Sequence, residues 1–274
     1  MTIRDHLLSG GEGLQHKTSP NHGREFGAGL PDTIILHYTA GSSAESSVEH
    51  FMSPSAGASA HLVVGRNGGI TQLVPFNVTA WHAGRSEYQG RVGFNQYSIG
   101  IEMDNAGPLE KTGGGYTAWF GRVYPESEAV KAVHRNEVQP AYWHCYPEKQ
   151  ISAVLDICIL LVDHYGIKTI LGHEEISPGR KRDPGPAFPL DKLRDRVLNR
   201  DRSLDTEPEP EYTRRSGVVT ASSLNVRFAP NVAAPTVLPP LSQGTVLDVL
   251  REAQGWYEVA VAVRGWVKKD YVQV

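Results

Sequence analysis

The sequence predicts an α/β domain followed by a small all-β domain, and three observations lead to that reading. Short continuous apolar runs that end in glycine or polar residues, such as DTIILHYTAG and QYSIGIEMDN, suit strands buried on both faces of a sheet. One long stretch, PEKQISAVLDICILLVDHYG, carries apolar residues at helical spacing. From Ser216 to Val274 the chain breaks into short β-rich runs with turn residues between them, the pattern of a small barrel. An acidic, Pro-interleaved segment, DTEPEPEY, lies between and reads as a stiff linker. The expected division is therefore 1–200, 201–215 and 216–274.

Taken in order, residues 1–30 are rich in Gly, His and Ser without a clear period, and are expected to drape over the surface. DTIILHYTAG supplies the first central strand. Ser46 to Met52 predicts a short helix with Val48, Phe51 and Met52 on one side. In SAHLVVGRNGGITQLVP two β-rich runs flank Asn67-Gly68-Gly69, where positive φ is cheap, so a hairpin is expected. A second buried strand surrounds Ile99 and Ile101. GPLEKTGGGYTAWFGRVYP then reads as a long loop or irregular hairpin. In the long helix Ile151, Val154, Leu155, Cys158, Leu161 and Val162 share one face, and Gly166 ends it. KTILGH is a short strand, and PLDKLRDRVL closes the domain as an amphipathic helix led by Pro189.

Composition narrows the function. The 274 residues are 40% hydrophobic and 21% charged, ordinary values for a globular chain. A net charge of -3 provides neither the basic footprint of a nucleic-acid binder nor a polybasic membrane surface. The start, MTIRDHLLSGGEG, has no apolar core of signal-peptide length, and the longest apolar run, Ile157 to Val162, is too short to span a bilayer. The expectation is a cytoplasmic protein, with delivery to the envelope by a non-classical route or by lysis left open. Two cysteines, Cys145 and Cys158, make no disulfide framework, and Cys158 is expected as a buried free thiol.

Which residues carry chemistry? A hydrolytic zinc ion needs about three protein ligands, with one position left for water. Among eleven histidines, His37 and His173 stand apart, because each sits at the exit of a short buried strand and is followed by a loop. Asp183 lies downstream in a loop braced by Pro-Gly-Pro and offers a third ligand. Glu102 ends the buried run SIGIE, where a carboxylate is costly unless it is partnered or at a cleft. Lys181 lies two residues before Asp183. Taken one at a time, a structural histidine, a turn-forming aspartate and a solvated lysine are the competing readings. Together the set suits amide hydrolysis, with a metal, a proton-shuttling carboxylate and a cation for the oxyanion.

The words ILHYTA, SAHLVV, GGITQLVP, AWHAG, SIGIEMDN and LGHEEISPGRKRDPGPAF, in that order, resemble the zinc-dependent N-acetylmuramoyl-L-alanine amidases of type 2. That superfamily also contains phage lysozyme-like amidases and peptidoglycan recognition proteins. The resemblance runs from about Thr33 to Leu198. It implies a central mixed β-sheet flanked by helices, with the metal in an open groove. It also implies that His37, His173 and Asp183 bind Zn2+, that Glu102 is the acidic catalytic residue, and that Lys181 steadies the transition state. The implied reaction cleaves the amide between N-acetylmuramic acid and L-alanine, in peptidoglycan or in muropeptides. Trp81 and His82 match a groove-lining stretch, and Tyr38 follows the first ligand, so these three are the candidate substrate contacts.

Two departures bear on specificity. Recycling enzymes of the family that demand the 1,6-anhydro sugar carry arginines at positions matching Gly57 and Gly93. The segment from Ala106 to Lys149 is longer than in short-loop members, and Tyr116, Trp119, Phe120, Tyr142 and Trp143 are candidates for a wall along the groove. The tail resembles bacterial SH3-like domains through SSLNVRFAPN, GTVLDVL and GWYEVAVAVRGWVKKDYV, and such modules often dock on the cell wall. Competing functions are a non-catalytic peptidoglycan-binding protein and a zinc peptidase acting on another cell-wall bond.

Overall fold

The computed structural model describes residues 1–11, 13–199, 215–227, 230–232, 234, 236–253 and 255–261. The chain divides into two compact units, Met1–Asp201 and Arg202–Val274.

The first unit is built on a six-stranded sheet in the order Thr169–Gly172, Thr33–Tyr38, Ser98–Met103, Leu62–Val64, Ile70–Gln72, Leu14–His16. The first four run parallel. Ile70–Gln72 returns antiparallel to Leu62–Val64 through the expected Asn67-Gly68-Gly69 turn, and pairs in parallel with Leu14–His16. The sheet is mixed, as the resemblance implied.

Alternation along the strands divides the domain into two faces. Ile34, Leu36, Ile99, Ile101 and Met103 point to one face and pack on the Glu148–Tyr165 and Leu190–Leu198 helices, through Val154, Ile157, Cys158, Leu161, Leu190, Leu193 and Val197. Residues one step out of phase, including Ile35, His37, Gly100 and Glu102, fall on the other face. There Ile35 joins Ala83, Phe94, Leu171 and Ile176. The Ala44–Met52 helix covers Val63, Leu73 and Val74 with Val48 and Phe51. It starts two residues earlier than expected, because Ser43 caps it: its hydroxyl accepts the Ser46 N–H, and Ser46 Oγ accepts the Ser43 N–H. The long helix ends at Gly166 in the left-handed region, as its sequence requires. Cys158 is buried and free, and burial pushes its thiol pKa up.

One expectation needs correction. The lead-in does not drape. Leu14–His16 forms the edge strand of the central sheet, His22–Glu25 pairs with Val78–Ala80, and buried Leu8 donates its N–H to Gln72 Oε1 at 2.7 Å. These strands are three or four residues long, too short for periodicity to register. The GPLEKTGGGYTAWFGRVYP stretch, read as a long loop or irregular hairpin, is a hairpin of Pro108–Thr112 and Gly115–Thr117 within the longer 106–149 segment. That segment forms a five-stranded antiparallel sheet, Val123–Tyr124, Gly115–Thr117, Pro108–Thr112, Pro140–His144 and Ala129–Val133, with its own cluster of Ala106, Leu109, Tyr116, Ala118 and Tyr124. Its strands are stabilised by cross-strand aromatic contacts such as Tyr116 on Tyr142, 4.8 Å between ring centroids.

In the second unit Arg215–Val218, Val246–Ala253 and Trp256–Ala260 form an antiparallel sheet, and Ser223–Leu224 pairs with Leu241–Ser242. Residues 201–214 of the expected linker, and 262–274 of the expected barrel, lie outside the described residues. Among the described residues no helix is long and apolar enough to cross a membrane.

Candidate metal centre and active site

His37, His173 and Asp183 are brought together, and all three are buried. His37 is the fifth residue of the Thr33–Tyr38 strand. His173 opens a short helix, His173–Ile176, directly after the neighbouring strand Thr169–Gly172. Asp183 returns on the following loop, which is tied back by Lys181 N–H to Ser177 O (3.0 Å) and Glu174 N–H to Asp183 O (2.8 Å). His37 Nδ1 lies 2.8 Å from His173 Nδ1 and 2.9 Å from Asp183 Oδ2, and His173 Nδ1 is also 2.9 Å from Asp183 Oδ2.

The outer nitrogens of the two rings decide what the inner ones offer. His173 Nε2 faces two groups, the Ala83 carbonyl at 3.0 Å, which can only accept, and Arg180 Nη2 at 3.4 Å; the carbonyl is the shorter contact, and Nε2 donates to it. His82 Nε2 lies 3.3 Å from the Ser98 carbonyl and 3.4 Å from Ser98 Oγ, whose own proton goes to Phe94 O at 2.6 Å. His82 therefore donates from Nε2, and its Nδ1 accepts from His37 Nε2–H at 2.9 Å. Burial, reinforced by His173, pushes the His37 pKa down to about 4, so the ring is neutral at pH 7. The two Nδ1 atoms and a carboxylate oxygen thus converge within 2.9 Å of one another. Such a cluster repels itself unless a cation sits at its focus. Two imidazole nitrogens and one carboxylate are also the donor set that zinc accepts. The residues fit the metal.

Glu102 is the register partner of His37 in the adjacent parallel strand, so its side chain rises on the same face. It is 8% exposed, and its Oε2 is buried without a hydrogen-bond partner. Burial first, then the Asp183 charge, raises its pKa to about 8, and Lys181 pulls in the opposite direction. The Lys181 charge also lowers the His37 pKa. A buried acid with one oxygen unsatisfied beside a metal triad is equipped to move a proton.

The three candidate substrate contacts fare differently. Trp81 is 40% exposed. Tyr38 is half-buried, and alternation turns it to the helix side, where its ring packs on the main core and against Gly107. His82 is a correction: it is buried behind His37 with both ring nitrogens engaged by the protein, leaving no polar atom for a ligand. Of the proposed aromatic wall, Tyr116 and Trp143 are buried, while Trp119 is 77% exposed and donates its indole N–H to Ala40 O at 2.8 Å. Gly57 and Gly93 both take positive φ, +58° and +80°, a conformation that residues with a side chain rarely adopt.

Several contributors to the site are not legible in the sequence. Glu174, next in the chain to His173, is buried and accepts from His134 Nε2 (2.7 Å), Arg135 Nε (2.9 Å) and Gly185 N–H (3.0 Å). Tyr146 donates its hydroxyl to Pro184 O at 2.8 Å, and the Arg182 guanidinium stacks over Trp143. The inserted sheet thereby braces the ligand loop. His61 is structural: it donates from Nε2 to Val78 O at 2.8 Å and accepts the Gly100 N–H at Nδ1, at 2.9 Å.

A pH dependence follows from these neutral rings. Burial lowers His61 from its ordinary 6.5 to about 4. A depressed folded-state pKa means that the unfolded chain takes up the proton first, so stability is present in full above 6.5 and is lost as pH falls towards 4. The melting temperature of the metal-free protein is expected to drop across that window, and a flat profile would contradict the assignment.

Comparison with known proteins agrees with this geometry. The sequence model of the N-acetylmuramoyl-L-alanine amidase family matches residues 27–186, a span that holds all five site residues. The 1,6-anhydro-N-acetylmuramyl-L-alanine amidase AmpD of Escherichia coli (strain K12) is 40% identical over 140 residues, 51% of this chain and 57% of that protein. The N-acetylmuramoyl-L-alanine amidase AmiD of the same organism is 35% identical over 126 residues, 45% of this chain and 36% of that protein. The chain spans about half the length of the AmpD relatives it matches. A crystal structure of a selenomethionine AmpD derivative superposes with a TM-score of 0.50 at 24% identity, over 72% of this chain and 99% of that one, and shows the shared fold.

Proposed function

The chain belongs to the N-acetylmuramoyl-L-alanine amidase family, and from that premise we propose that it hydrolyses the amide joining N-acetylmuramic acid to L-alanine, in peptidoglycan or its fragments. The observation that carries this reading is the meeting of His37, His173 and Asp183 with a buried, unsatisfied Glu102 on one face of the sheet. Zinc is the proposed cofactor, held by those three side chains. When bound, such a cation supplies Lewis acidity: it polarises a carbonyl and makes hydroxide available near neutral pH.

The remaining work falls to the chain itself. Glu102 takes the proton of the attacking water and then delivers it to the departing alanine nitrogen, which would otherwise leave as an unstable amide anion. Burial raises this carboxyl's pKa to about 8, which suits the delivery half of that transfer. The Lys181 ammonium offsets negative charge growing on the lactyl carbonyl oxygen. Trp81, exposed, offers its indole to the substrate. The second unit is proposed as an SH3-like module that docks on cell-wall material.

Lys181→Ala is expected to lower kcat by about 10²–10³-fold, roughly 2.7–4 kcal/mol, as for a lost oxyanion donor, with zinc content unchanged. Loss of zinc in that variant would reassign Lys181 to a structural role. The function itself is tested by incubating the zinc-loaded protein with sacculi, ordinary muropeptides and anhydro-muropeptides, and weighing the products. Stem peptide beginning with L-alanine is the expected product. Cleavage elsewhere would make the protein a peptidase, and no release from any of the three would make it a binding protein.

A further inference from the structure

We propose that His82 and Ala83 form one orienting segment that sets the tautomer and direction of both imidazole ligands, with His82 as a positioning residue, Gly100 as its seat and Asn95 as its anchor. The inference rests on the metal-centre reading above and extends it to residues that bind neither metal nor substrate.

Adjacent residues serve the two rings by different means. His82 presents its Nδ1 lone pair to His37 Nε2–H at 2.9 Å, and the next residue presents its backbone carbonyl to His173 Nε2–H at 3.0 Å. Both acceptors are neutral, so the rings are aimed without adding a second anion behind the metal; a carboxylate in either place would make the ligand more basic. The backbone of the pair is pinned at one point: the His82 and Ala83 N–H groups both donate to Asn95 Oδ1, at 3.0 and 2.7 Å. The far side of the His82 ring is closed by the Ser98 carbonyl at 3.3 Å. The His37 and His82 rings stand nearly perpendicular, at 82° with centroids 5.1 Å apart, which suits an in-plane N–H···N bond to the edge of the second ring.

Gly100 makes room for this arrangement. A Cβ there would lie 2.3 Å from His82 Cγ and 2.6 Å from both Cδ2 and Nδ1, well inside van der Waals contact. The strand cannot retreat, because Gly100 is held on its other side by His61: its N–H donates to His61 Nδ1 at 2.9 Å, and its carbonyl accepts the His61 N–H at 3.0 Å. A glycine within a buried strand marks a close approach of this kind. Gly100 lies two residues before Glu102, so the strand that carries the acid also seats the residue that aims the metal ligand.

Long-range 1H–15N spectra of the metal-free parent are expected to show His37, His82 and His173 all protonated at Nε2. His82→Leu, which removes the acceptor, should weaken zinc affinity by about 10–100-fold and change the visible spectrum of the cobalt(II) form. His82→Gln, whose amide oxygen can accept from His37, should recover most of that loss. Asn95→Ala should perturb the His37 and His173 resonances together. Parent-like zinc affinity and cobalt spectrum in His82→Leu would overturn the proposal, as would an Nδ1–H tautomer of His37. Should His82→Leu fail to fold, the tautomer spectra of the parent still decide. A parent that binds no zinc while showing the expected tautomers would sink the metal-centre reading and leave the orienting segment standing.

Discussion

Glu102→Gln is expected to lose about 10²–10⁴-fold in turnover while keeping parent levels of zinc. The substitution preserves the volume of the side chain and its place beside His37, and removes only the ability to take and return a proton. Zinc is retained because none of His37, His173 or Asp183 depends on Glu102 for a hydrogen bond. The variant should also gain stability when metal-free. A pKa raised from 4.5 to about 8 means that the folded state resists ionising an acid the unfolded chain ionises freely. Stability from that group is complete below 4.5 and is lost as pH rises through about 8. Glutamine escapes this loss, so at pH above 8 the metal-free variant should melt higher than the metal-free parent. A variant that is inactive because it has lost its zinc, or that melts lower under those conditions, would show that Glu102 serves to hold the site together.

Asp183→Ala is expected to abolish both zinc binding and activity. Asp183 is the one formal charge among the three donors, and its Oδ2 stands 2.9 Å from each of the two imidazole nitrogens. Without it only the two imidazole nitrogens remain, 2.8 Å apart, with no anion to favour a dication. The readout need not be catalytic. A ligand that binds only the folded state stabilises it by mass action, so zinc at about a thousand times its Kd should stabilise the parent by ~4.1 kcal/mol. In Asp183→Ala the melting temperature should not respond to zinc at all, and should lie near that of the chelated parent. A zinc-dependent rise in the variant would remove Asp183 from the ligand set.

The two variants together separate metal from proton chemistry. One keeps zinc and loses turnover, and the other loses both. A binding protein that happened to share the fold would show neither pattern, because it has no turnover to lose.

How much of this was readable beforehand depends on the range over which each residue acts. His37, His173, Asp183, Glu102 and Lys181 were candidates from local pattern, each with a competing structural reading, and the family resemblance made them a set. Short buried strands end at or beside His37, Glu102 and His173, and register in the structure puts Glu102 and His37 on one face. The Glu148–Tyr165 helix and its glycine stop were legible from local pattern. His82 was misplaced as a groove contact because AWHAG contains an exposed tryptophan beside a buried histidine, and a single loop residue carries no period that tells in from out.

By itself, then, the sequence determined the central strands and the two helices that cover one face, and it put forward His37, His173 and Asp183, which the fold brings together. Tertiary structure alone decided that the lead-in completes the sheet, that the inserted segment folds into a second sheet bracing the ligand loop, and that His82, Ala83, Asn95 and Gly100 stand behind the metal ligands. The physical reason is that these roles are relations between distant groups. His37 and His82 are 45 residues apart, and His173 and Ala83 are 90 apart. Their hydrogen bonds end on ring nitrogens and backbone carbonyls, acceptors that most residues can supply and that therefore leave little trace in a string of side chains.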